Sequence, residues 1–88
     1  MNDSNSEELW TFPCHVTFKA MTVARDGIEN DVIAEIQKHV SGDYSPAIKP
    51  SKNGNYYSVS INIHFESKDQ VEAVYKGVHQ IDGVKMVL

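Results

Sequence analysis

Eighty-eight residues, 41% of them hydrophobic, suit one small globular domain and exclude global disorder. The formal net charge of −4 disfavours tight nonspecific nucleic-acid binding, which rests on clustered positive charge, and gives no pull toward an anionic membrane. A single cysteine, Cys14, excludes an intrachain disulfide and fits a reducing, cytoplasmic compartment.

In chain order, the opening MNDSNSEEL is polar and acidic, unlike the basic start and apolar run of a signal peptide. No apolar run approaches the roughly 20 residues that span a bilayer. Residues 1–8 read as a flexible tail and residues 9–88 as a single domain, with Leu9, Trp10 and Phe12 expected to dock on its body. Cys14–Thr22 alternates, with Val16, Phe18 and Ala20 on one side and His15, Thr17, Lys19 and Met21 on the other, so it predicts a half-buried strand. Asp26 with Glu29 three residues on resembles a capping box. Ile28, Val32, Ile36 and Val40, widened by Ile33, then predict an amphipathic helix over 27–40, with Gly42 placed for a left-handed stop.

A second strand is expected from Pro46 to Ser51. The third, Tyr56–Phe65, is the strongest element: Tyr57, Val59, Ile61, Ile63 and Phe65 face the core, and Tyr56, Ser58, Ser60, Asn62 and His64 face away. Ser67 with Gln70 forms a second capping box, and Val71, Val74, Tyr75 and Val78 follow at helical spacing. Asp82–Gly83 turns the chain into a last strand, Val84–Leu88. The order strand, helix, strand, strand, helix, strand predicts an α+β, ferredoxin-like βαββαβ sandwich: a four-stranded antiparallel sheet with two helices on one face. Strands one and three are then central. Pro46 and Pro50 both fall on the second strand, an expected edge, where a missing N–H is tolerated.

Those prolines also set the register of the hairpin in KPSKNGNYY. A two-residue Asn53–Gly54 turn would put Pro50 at a hydrogen-bonded position. A four-residue loop, Lys52–Asn55, turns its nitrogen outward and places Ile48 opposite Val59.

GDYSPAIKPSKNGNYYSVSINI (residues 42–63), with Phe12–Pro13 and the closing Met86–Leu88, resembles the signature of the YbeD-like family of small bacterial proteins. The resemblance runs from Leu9 to Leu88. It implies an ACT-like ferredoxin fold, similar to the amino-acid-sensing domain of phosphoglycerate dehydrogenase, and a neighbourhood in lipoate metabolism. RDGIENDV (residues 25–32) resembles the ACT ligand loop, without the proline that often precedes its glycine. The resemblance makes Arg25, Asp26, Gly27 and Ile28 a candidate ligand loop.

The residues point to little chemistry. His15, His39, His64 and His79 form no pair at metal-ligand spacing on one element, and Cys14 has no partner cysteine, so neither a metal nor a cofactor is expected. His15 adjoins Cys14 but points to the opposite side of a strand, so no nucleophile–base pair and no catalytic residue is expected. Lys49 and Lys52 beside Gly54 match no phosphate-loop pattern. RNA-binding sheets of this fold stack bases on aromatics, whereas here Tyr56 is the sole aromatic on the polar side of the third strand. What stands out is an open face and hairpin built by Lys19, Tyr44, Lys49, Lys52, Asn53, Tyr56, Ser58, Ser60 and Asn62, a candidate partner surface. The expectation is a non-catalytic regulatory or protein-interaction module, with no nucleic-acid or membrane partner, as a monomer or weak homodimer. The alternative is a sensor of a small metabolite, such as an amino acid or lipoate-pathway compound, bound near Arg25–Ile28.

Overall fold

The structure, a computed structural model, describes residues 11–88, so the expected tail at 1–8 and the docking of Leu9 and Trp10 lie outside the described residues. The elements are β1 (Cys14–Val23), α1 (Ile28–Gln37), β2 (Ala47–Pro50), β3 (Tyr56–Phe65), α2 (Lys68–His79) and β4 (Val84–Val87). The strands form one antiparallel sheet in the order β2-β3-β1-β4, as the edge placement of the prolines requires. Both helices pack on one face. Phe12 is half-buried against the core and is joined to Pro13 by a cis peptide bond.

Alternation on β1 and β3 makes the two faces. Their register runs from Cys14 opposite Phe65 to Val23 opposite Tyr56. Phe18, Ala20, Val59, Ile61, Ile63 and Phe65 are therefore all turned to the helices and buried. Ile28, Val32 and Ile36 of α1 and Val74 and Val78 of α2 close over them. Each of the valine, isoleucine and phenylalanine side chains contributes about 1.5–3 kcal/mol on burial. Phe18 meets Tyr75 edge-on, with ring centroids 5.1 Å apart. Val71, expected in the core, is only half-buried, because the stripe of α2 is centred on Val74 and Val78.

Helix α1 begins differently from expectation. Gly27 occupies the cap in a left-handed conformation, φ 84°, and no side chain caps the helix. Asp26 lies one residue too early to reach the first turn, so its box with Glu29 does not form. The helix ends at Gln37; Lys38 and His39 donate to carbonyls three residues back, and Val40 N donates to Ile36 O at 2.8 Å, which holds Val40 in the core. Gly42 has φ 150°, well beyond the helix end and away from the left-handed helical basin. At α2 the expected cap is present: Ser67 Oγ accepts from Gln70 N at 3.3 Å. Gln70 Oε1 reaches back to accept from Glu66 N at 2.6 Å, one residue beyond the N-cap N–H of the usual box.

The hairpin has the four-residue loop. Ser51 N donates to Tyr56 O at 2.8 Å, Ile48 stands opposite Val59, and Pro50 stands opposite Tyr57. Hydrogen-bonded pairs alternate along an antiparallel ladder, so Pro50 falls on a non-bonded pair and its missing donor points outward. Gly54 takes φ 76°. Ile48 shares the face of Val59 yet is 40% exposed, because the helices leave all four residues of β2 uncovered.

Strand β4 carries a bulge. Met21 pairs with Met86 but Thr22 pairs with Val84, leaving Lys85 as the extra residue. Plain alternation would turn Met86 toward the helices along with Val84. The bulge turns it to the open face opposite Met21.

Candidate functional site

The open face follows from the two registers. Cross-strand partners share a face, so Lys49, Ser58, Met21 and Met86 form one row across all four strands. Ser60 and Lys19 lie in the next row, Asn62 and Thr17 in the next, and His64 and His15 in the last. Thr17 Oγ1 donates to Asn62 Oδ1 at 2.9 Å. The face thus has two unlike ends.

At the hairpin end, Met21, Tyr56 and Met86 are 39%, 43% and 48% exposed. They are large apolar side chains left in water, as are Ile48 on β2 and Leu88 at the end of the chain. Met21 and Tyr56 join Lys49, Pro50, Lys52 and Ser58 around a shallow, mostly apolar hollow of about 240 Å³. Asn53 sits beyond it at the exposed tip of the loop.

At the other end, His64 Nδ1 lies 3.2 Å from His15 Nε2, and His64 Nε2 lies 2.9 Å from Glu66 Oε2. The carboxylate orients His64, and the two rings can share a proton between them. Among the described residues, no three His, Cys, Asp or Glu side chains converge as a metal set. Cys14 pairs with Phe65 on the helix-facing side and so does not meet His15.

Tyr44 borders that end but its hydroxyl is already engaged. It donates to Val40 O at 2.8 Å, and burial raises its pKa. It closes the turn after α1 and stands apart from the rows that hold Ser58, Lys19 and Ser60. Glu35, on the side of α1 that packs against Gly77 of α2, accepts hydrogen bonds from His39 and Lys38, which hold its carboxyl below the usual range.

The loop Arg25–Ile28 is closed on itself. Arg25 pairs with Asp31 at 3.1 Å and donates to Asp82 O at 3.0 Å. Ala24 N donates to Asn55 O, tying the same segment to the hairpin. Ile28 is fully buried, whereas Asp26 points into solvent. The sequence reading identified these four residues but not their internal pairing. It also missed both cross-strand pairs. The His15–His64 contact follows from the β1–β3 register once either end is fixed. The Met21–Met86 contact depends on a bulge that carries no sequence signal of its own.

This architecture is a ferredoxin-like βαββαβ sandwich, a fold it shares with an ACT domain of known structure. A protein from H. pylori, solved in solution, superposes with a TM-score of 0.72 over 100% of this chain and 94% of that one, at 17% identity. The ACT domain from the GTP pyrophosphokinase of Chlorobium tepidum superposes at 0.62 over 84% of this chain and 94% of that one, at 15% identity. A family model described as a protein of unknown function, DUF493, matches residues 7–88. A UPF0250 protein of Vibrio vulnificus is 49% identical over 99% of this chain and 95% of its own length. Another, from Idiomarina loihiensis, is 43% identical over the whole of both chains. The chain belongs to this DUF493/UPF0250, YbeD-like family of small bacterial proteins.

Proposed function

We propose that the protein is a non-catalytic interaction module that docks a partner protein on the open face of its sheet. One observation carries this reading: the fold gathers Met21, Tyr56 and Met86, all exposed, at the hairpin end of the open face. Exposed apolar groups rimmed by polar ones mark interaction sites on soluble domains. The face is built on the two central strands, so it is rigid and needs no rearrangement to bind.

Metabolite sensing near Arg25–Ile28 is the weaker reading. A ligand there must draw Arg25 away from both Asp31 and the Asp82 carbonyl. Self-association, where it occurs, falls to β4 rather than β2. Both are four-residue edges, but Pro50 and the proline before the strand, Pro46, remove outward donors from the second.

Affinity capture from a lysate of a bacterium encoding the protein tests the docking reading, with Ser60→Trp as the blocked variant. Ser60 lies in the middle of the open face, so the indole obstructs docking without entering the core. A partner retained by the native chain should be lost with folded Ser60→Trp. Retention of the same partner by both would overturn the reading. A thermal shift with amino acids or lipoate that disappears in Arg25→Gln would favour the sensor instead.

A further inference from the structure

We infer that the docked partner is an acidic polypeptide segment that presents apolar side chains among its carboxylates. This rests on the proposed docking face and names the chemistry of what binds there.

The four strands contain Lys19, Lys49 and Lys85 and not one aspartate or glutamate. Lys19 and Lys49 stand on the open face by register, and Lys85, pushed out by the β4 bulge, is exposed next to Met86. Lys52 adds a fourth cation at the hollow beside Tyr56. Helix α1 is the opposite case: it carries Glu29, Asp31 and Glu35 and no lysine or arginine. An acidic chain, net −4, has thus set its strand lysines on one face and gathered carboxylates in its helical layer. The carboxylate at the edge of the open face, Glu66, sits at the far end and is paired with His64.

Among the described residues, these lysines have no carboxylate partner. The ion pairs of the described residues involve Arg25, Lys38, His39, His64 and Lys68, and none involves a lysine of the open face. The field of the face is therefore positive and available to a partner. It also guides the choice of partner. Lys19 and Met21 are two residues apart on one side of a strand, a spacing of about 6.6 Å. Lys49 and Met86 stand in the row of Met21. Cations and apolar groups are interleaved at the spacing of alternate residues in an extended chain. A peptide with carboxylates next to leucine- or phenylalanine-like side chains matches both.

A nucleic acid matches less well. It would meet four lysines, no arginine and one aromatic ring, Tyr56, and the net charge of −4 opposes a polyanion at long range.

The test uses the full chain and three probes: a blocked decapeptide alternating glutamate with leucine and phenylalanine, the same peptide with glutamine for glutamate, and a ten-residue oligothymidylate. Binding is followed by amide chemical shifts and titration. The glutamate peptide should bind at least tenfold more tightly than the glutamine peptide, with shifts centred on Lys19, Met21, Ser58 and Met86. Lys19→Glu/Lys49→Glu/Lys85→Glu should lose this binding at least tenfold. If reversal disturbs folding, the triple glutamine variant should still show the loss. Equal affinity for both peptides, shifts confined to the helices, or tighter binding of the oligothymidylate would overturn the inference. If the glutamate peptide fails while capture from lysate is still blocked by Ser60→Trp, the docking face stands and the acidic class is wrong. If neither is seen, both fall.

Discussion

On one side of β3, Val59, Ile61, Ile63 and Phe65 are at most 1% exposed. On the other, Ser58, Ser60, Asn62 and His64 are half-buried or exposed, although the same backbone holds them. The first set touches helices, so its identity is tied to the stability of the domain. The second set lies away from the helices, touching its cross-strand neighbours and, at His64, Glu66, and its identity is free to serve something else. A small domain has a thin stability margin. Confining most of the apolar burial to one face is what leaves the other free to carry lysines, methionines and a histidine pair.

That contrast is broken most directly by the same change on each side. Val59→Asp buries an unpaired carboxylate under both helices and should cost more than about 4 kcal/mol, enough to unfold the domain. Loss of amide dispersion at room temperature is the expected readout. A variant that melts within a few degrees of the native chain would show that the core face is wrong.

The hairpin borders both faces, and its turn gives an intermediate effect. Nothing lies within 4 Å of a Cβ added at Gly54, so only its φ of 76° resists a side chain. Gly54→Val should cost about 1–2 kcal/mol by urea unfolding, while Asn53→Ala beside it costs far less.

Glu35 sharpens the comparison from the helical side. Its hydrogen bonds to His39 and then Lys38 lower its pKa below the ordinary value of 4.5. A lowered native pKa means a stabilising contribution that is complete above 4.5 and fades as pH falls through the native value. The side chain is 17% exposed, so Glu35→Gln should cost about 0.5–1 kcal/mol at pH 7. The native and variant unfolding curves should converge as pH falls below 4.5 and through that lowered native value. A difference that grows toward acid would contradict this assignment.

The smallest effect is the counterpart of the first. Ser60→Asp puts the same carboxylate on the open face opposite Lys19, and its stability should change by less than about 0.5 kcal/mol. A large loss would mean that the face is covered by the rest of the protein.

Most of the fold was legible because few residues had a choice. Ten alternating residues from Tyr56 to Phe65 can bury only one side, and two prolines on one short segment can occupy only an edge. The Lys52–Asn55 loop followed from one missing N–H. The start of α1 was misread because Asp26 and Glu29 have capping-box spacing, while the chain enters the helix through a left-handed Gly27 instead. The site was less legible. Lys19, Ser58 and Ser60 could be placed on a face by parity alone. The Met21–Met86 pair could not, since the bulge at Lys85 reverses the parity of β4. The closure of Arg25 on Asp31 and Asp82 depends on the turn before β4, which is remote in sequence.

Site-specific photocrosslinking in living cells tests the central claim, that partners dock on the open sheet face. One photoreactive residue replaces Ser58 on that face, and in a second variant one replaces Glu72 on the exposed side of α2. The account predicts a discrete crosslinked partner from position 58 and none from position 72. A partner caught only from position 72, or no adduct from position 58 in a folded protein, would contradict it.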